Sequence, residues 1–201
     1  MPEEWSNAQD ARAYKDIRAL VDRWRSLGHK TYPDGTDWIG HTPHRAPEAY
    51  LHQIYAPLGA AGIEQMENEL SRRIPDNFRC FLMLHNGIGL FANYINLYGL
   101  RLSWSRTDLV EAGQQPFSIM EPNVKRRPVN APDDILFVGS LGRKRDLIGM
   151  NPNGRVFQWA SNDPLSVSAK SYSSVFTFLL EEANRVVALF DEDGRRRDSD
   201  N

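Results

Sequence analysis

Apolar residues recur along this chain with two different periods, and the change of period divides it. From residue 8 to 27, Ile17, Leu20, Val21, Trp24 and Leu27 fall at helical spacing. Charged residues occupy the other face and Gly28 supplies a stop, so an amphipathic helix is predicted there. Residues 29–47 hold three prolines and two glycines and read as irregular. Pro33-Asp34-Gly35 is a turn with a mechanism, because proline presets one backbone angle and glycine accepts positive φ. A short helix is expected near 46–56. Ile63, Met66, Glu67, Leu70 and Ile74 then share one helical face, and Pro75, which lacks an amide proton, is expected to end that helix. A second helix starts near Asp76 with Phe78, Phe81, Leu82 and His85 as its inner stripe. Asn86-Gly87 is a pair suited to a left-handed cap.

Past Gly87 the period shortens. Tyr94 to Leu100 alternates and is aromatic, Ile135 to Val138 is a short apolar run, and 147–150 and 155–160 flank Asn151-Pro152-Asn153-Gly154, a strong hairpin signal. Residues 103–132, rich in proline and charge, read as an insertion. Ser173 to Phe190 reads as a closing helix with Val175, Phe178, Leu179, Val186 and Leu189 inward. The remaining stretch, 191–201, is charged without an apolar anchor and is expected to be disordered.

Helices, then strands, then a helix imply an α+β fold with an antiparallel sheet of five or six strands packed against helices. The expected organisation is an N-terminal helical extension over 1–55, a main domain over 56–190 carrying the insertion near 103–132, and a charged tail. Phe78, Phe81 and Leu82 should be core, with Ile63, Met66 and Leu70 beside them. In a two-layer domain one sheet face packs on helices. Ile95 and Leu97 would point that way, and Tyr94, Asn96 and Tyr98 the other.

Composition narrows function by exclusion. The 201 residues carry 24 basic and 26 acidic side chains, a formal net charge of −2, where a dedicated nucleic-acid binder would show a basic excess. A single cysteine, Cys80, fits a reducing compartment. The first residues are acidic and lack the apolar run of a signal peptide, and no stretch approaches the roughly 20 apolar residues of a membrane span. A cytoplasmic, membrane-free protein is therefore expected.

Candidate chemistry is sparse. His29, His41, His44 and His52 lack the cysteine or carboxylate spacing of a metal site. Cys80 and His85 are five residues apart on one helix, a rotation that leaves them roughly 140° apart, so they do not form a nucleophile pair. Cys80 reads as a core filler, and His85 as a helix-end residue whose positive form would suit the dipole. Gly139 to Lys144 lacks P-loop spacing and a following helix. Glu181 and Glu182 read as a solvated helix pair. No catalytic residue, cofactor or metal site is expected, and the chain is read as a non-enzyme. Three basic clusters, 125–127, Arg143 to Arg145 and 195–197, read as solvated surface.

The segment Gly62 to Gly87, with Glu67, Ile74, Pro75, Phe78, Phe81, Leu82, Asn86 and Gly87 at its marked places, resembles the signature of the SUKH superfamily, Smi/Knr type. Ile95 to Gly99 is similar to the family's first strand, Ile135 to Leu147 to the next strand and turn, Gly154 to Trp159 to the hairpin, and Ser174 to Leu180 to the closing helix. The turn at Arg143 to Asp146 departs from the family by being basic. The resemblance implies a binding protein, and for bacterial members an immunity protein that binds and neutralises a secreted polymorphic or contact-dependent toxin. A regulatory or scaffold protein is the alternative. The expected partner is a protein, with Tyr94, Tyr98, Trp159 and the rim Arg143, Lys144 and Arg145 as partner-binding residues.

Overall fold

The computed structural model describes residues 7–101, 114–159 and 167–197. Helix α1 spans Ala8–Asp22; the Asn7 side chain accepts from the Asp10 amide at its N-terminus. Such a contact satisfies one of the donors a helix start leaves free. A short helical turn, Arg25–Leu27, follows and ends at Gly28, whose φ is +119°.

Three strands come next: β1 (His29–Thr31), β2 (Asp37–His41) and β3 (Tyr50–Ile54). The Pro33-Asp34-Gly35 turn joins the first two, with Gly35 at φ +96° and the Thr36 amide donating to Asp34 Oδ1. The stretch expected to be irregular, and the helix expected near 46–56, are thus replaced by strands. Runs of three to five residues between Pro/Gly turns are too short for periodicity to separate helix from strand.

Helix α2 (Ala60–Leu70) stops before Pro75, because Ser71 takes the left-handed conformation at φ 52° and Arg72 donates back to the Glu67 carbonyl. Pro75 instead precedes α3 (Asp76–Leu84). The Glu67 carboxylate holds this corner. Its Oε1 accepts from the Ile74 amide at 2.8 Å and from the Arg79 guanidinium at 2.6 Å. The remaining strands are β4 (Ile88–Leu90), β5 (Ile95–Leu97), β6 (Leu136–Leu141), β7 (Asp146–Met150), β8 (Val156–Trp159) and β9 (Val167–Tyr172). Helix α4 (Val175–Val187) closes the order, with Ser174 and Thr177 forming a reciprocal cap.

All nine strands form one antiparallel sheet in which spatial order equals chain order. The α+β class is as the sequence implies, but the sheet has nine strands, not five or six. The N-terminal region adds β1 to β3; β4 escapes the alternation test because it is three residues long and buried, and β9 (VSAKSY) because its sequence lacks an alternating apolar pattern.

The main core lies between the sheet and the four helices. Phe78, Phe81, Leu82, Ile63, Met66 and Leu70 are all buried there, as expected. Ile95 and Leu97 face it, joined by Leu136, Val138, Ile148 and Val156. A second cluster, Ile135, Phe137, Phe157 and Trp159, occupies alternate positions and so the opposite sheet face. Part of the expected insertion covers it. Asn123 exchanges two side-chain hydrogen bonds with the Phe137 backbone, and the Arg127 guanidinium lies 5.5 Å from the Phe137 ring centre.

Residues 191–197, expected to be disordered, fold back in the structure. Asp191 and Arg195 pair through the backbone, Arg197 donates to Leu189, and the Trp24 indole donates to the Asp191 carbonyl at 3.0 Å.

Candidate partner-binding cleft

Four chain segments meet beyond one end of the sheet and enclose an open cleft of about 780 Å³. The β4–β5 turn forms its floor with Phe91, Ala92, Asn93 and Tyr94, joined by Phe190. Phe91, Ala92 and Asn93 have φ of 52°, 55° and 64° in succession. Left-handed backbone costs a side-chain-bearing residue roughly 1–2 kcal/mol, so this turn needs fastening. The Ala92 amide donates to Leu51 at 2.7 Å, Tyr94 donates to Leu90 at 2.9 Å, and the buried Phe91 ring packs against Trp24, His52 and Phe190.

The walls are cationic. Arg143 and Arg145 come from the β6–β7 turn, Arg45 and His44 from the β2–β3 connection, and Arg195 and Arg196 from the C-terminal return. Each arm is braced by its own backbone bonds: Gly142 to Tyr94, Arg145 to Gly142, Arg45 to Thr42 and Gly194 to Asp191. Among the described residues, none of these five guanidinium groups lies within ion-pair distance of a carboxylate, and no acid lines the cleft. Tyr94 is held between two cations, Arg196 at 5.7 Å and Arg185 at 6.0 Å from its ring centre.

The structure therefore divides the expected partner-binding residues. Tyr94, Arg143 and Arg145 stand in the cleft, and Lys144 is exposed on the same turn. Tyr98 and Trp159 do not join them. Trp159 is only 3% exposed within the second cluster, and Tyr98 is 9% exposed beside Phe117, so the two do not form an exposed aromatic patch. The covering segment 114–135 is the physical reason. Arg45, Arg195 and Arg196 were missed. The run at 195–197 is visible in the sequence, but nothing local shows that Gly194 packs on Thr42 and Leu51 and so brings it back to the sheet.

Other titratable groups serve the interior. His52 is fully buried between Trp24 and Phe91, and burial, then the nearby Arg18 charge, pushes its pKa down to about 3. His85 lies past the end of α3 in extended backbone and meets the Tyr14 hydroxyl at 2.8 Å. Burial first, and Arg18 second, lower it to about 4, so it is neutral and not the cationic cap the sequence implied. Cys80 is buried. Glu182, expected to be solvated, is 2% exposed. It accepts from Tyr172 at 2.6 Å, Arg185 at 2.7 Å and Lys170 at 2.9 Å. Burial opposes its charge, but these donors outweigh it and hold its pKa low. Among the described residues, no group of three or more His, Cys, Asp or Glu is placed to hold a metal ion, and no helix is long and apolar enough to cross a membrane.

Among solved structures, the chain is similar at a low level to a protein from Pseudomonas syringae pv. tomato. It is 16% identical, with a TM-score of 0.45, and the match covers 82% of this chain and 98% of that one. No curated protein matches the sequence. The SMI1 / KNR4 family (SUKH-1) model matches residues 57–181. That span holds the Glu67 corner, α3, the Asn86-Gly87 step, strands β4 to β9 and the start of α4. With well over half its length matched in this way, the chain belongs to the SMI1 / KNR4 family (SUKH-1).

Proposed function

We propose that this chain is a non-catalytic protein-binding module, an immunity protein that holds and neutralises a cognate polymorphic or contact-dependent toxin in the cytoplasm. Family membership supports the class. The observation that carries the reading is the cleft: five guanidinium groups on braced turns, open to solvent, around a rigid aromatic floor. Binding by occlusion needs such fixed anchors and no reactive group. Glu67, Asn86 and Gly87, which mark the family in the sequence, hold backbone in place here.

The test is affinity capture with the tagged chain from its source cells, identification of the retained protein by mass spectrometry, and expression of that protein in a bacterial host. The expected result is arrested growth, restored when this chain is co-expressed. A retained protein that is harmless on expression would replace the immunity reading with the regulatory or scaffold one.

A further inference from the structure

We propose that the arginine cleft is the docking surface for an acidic segment of the protein partner, bound through carboxylate–guanidinium pairs. The proposal rests on the protein-binding reading above and specifies its chemistry. Like charges gathered without counter-ions repel one another and disfavour the folded state. This chain nonetheless brings Arg45, Arg143, Arg145, Arg195 and Arg196 around one floor from three separate segments, with no carboxylate among the described residues that line it. Acids are present elsewhere in quantity. With a formal net charge of −2 for the whole chain, the remainder of the molecule is acidic.

That distribution selects the occupant. A long polyanion such as nucleic acid needs basic surface along many phosphates, and the charge of the chain outside these five arginines is net negative. A folded protein that presents a local acidic segment meets the cleft and can be neutral or basic around it, matching the rest of this molecule. Guanidinium also matches carboxylate in geometry, two parallel donors to two oxygens. The bracing of each arm means that little backbone freedom is lost on binding. The cleft, about 780 Å³ and walled by three separate segments, has room for a stretch of chain and not merely one isolated side chain.

The probe is a fluorescein-labelled decapeptide of alternating glutamate and glycine, followed by anisotropy. Its controls are the glutamine–glycine counterpart and a thymidine oligonucleotide of equal charge. The expected result is salt-sensitive binding of the acidic peptide alone, weakened about tenfold or more in the triple variant R45E/R143E/R195E. These three side chains are exposed, so circular dichroism and thermal unfolding should show the variant folded. Equal binding by the glutamine peptide, unchanged binding by the folded variant, or tighter binding of the oligonucleotide would overturn the proposal, the last in favour of nucleic acid. The same variant in the growth-rescue assay separates the two readings. Full rescue by R45E/R143E/R195E removes the cleft from the interface and leaves the immunity reading standing. A captured partner that is harmless removes the immunity reading, while the peptide measurement still decides the cleft.

Discussion

His52 and His85 are both neutral in the folded chain, and their pKa values of about 3 and about 4 lie well below the ordinary value of 6.5. In the unfolded chain each takes up a proton as pH falls through that ordinary value, while the folded chain refuses it. Below about pH 6.5 the unfolded state therefore binds more protons, and stability falls with pH until the folded values are reached. Between pH 7 and pH 5 the loss should be about 2 kcal/mol for each histidine. Asp37 acts lower down. Burial raises its pKa, but Arg25 at 2.6 Å outweighs burial and holds it below the usual carboxylate value, so its contribution is lost only below about pH 4. Urea unfolding across this range should show the histidine slope first. His85→Asn, which keeps a polar partner for Tyr14, should remove about half of it; an unchanged slope would place the effect elsewhere. Gly87 gives a second residue-scale outcome. Its φ is +94°, and an added Cβ would lie 2.7 Å from the Pro116 Cβ and 2.9 Å from the Leu97 carbonyl oxygen. Gly87→Ala should cost about 2 kcal/mol, read as a lowered urea midpoint. The sequence shows the need for positive φ there, but not the reason, because Pro116 is far along the chain.

At the scale of elements, the legible parts were those whose signal is local. The inner stripe of α3, the 151–154 turn and the closing helix follow from spacing and turn chemistry alone, and the structure has them. What was lost is short or depends on distant contacts. Strands β1, β3 and β4 are three to five residues long. The end of α2 turns on a left-handed serine, which no pattern announces. Asn86 is a further case. Its amide accepts from the Leu100 amide at 2.7 Å and donates to the Leu100 carbonyl at 2.8 Å, imitating a strand partner just past β5. The sequence marks Asn86 as a cap, and the structure makes it a clamp. Asn86→Ala strips both partners from Leu100 and should cost about 1–3 kcal/mol. Hydrogen exchange should become faster at the Leu100 amide, while α3 amides keep their protection. Equal loosening of both would show that Asn86 stabilises the helix instead. The cleft was half legible for the same reason: Tyr94, Arg143 and Arg145 each sit at a strand end or turn that the local pattern marks, whereas Arg45 and Arg196 arrive from opposite ends of the chain.

Over the whole molecule, every strand pairs with its neighbour in the chain, with α2 and α3 carried in the β3–β4 connection and residues 98–135 in the β5–β6 connection. The two ends are joined differently. Asp10 at the start of α1 accepts from the Ser174 hydroxyl at 2.5 Å across 164 residues, and Trp24 reaches Asp191 across 167. Closing so long a loop is entropically costly before it is rewarded. A chain built in this way can assemble its meander strand after strand, and seals α1 against α4 only when Ser174 and Asp191 are in place. The seam should then be absent from the folding transition state. Asp10→Ala should speed unfolding roughly in proportion to the stability it removes and leave the folding rate nearly unchanged. Stopped-flow chevrons measure both arms, and a slowed folding arm would show that the ends meet early. If the seam is late, the cleft is late as well: Arg195 and Arg196 reach its rim only when the C-terminal return is in place, so on the proposed reading an acidic segment finds no complete site until that return has docked.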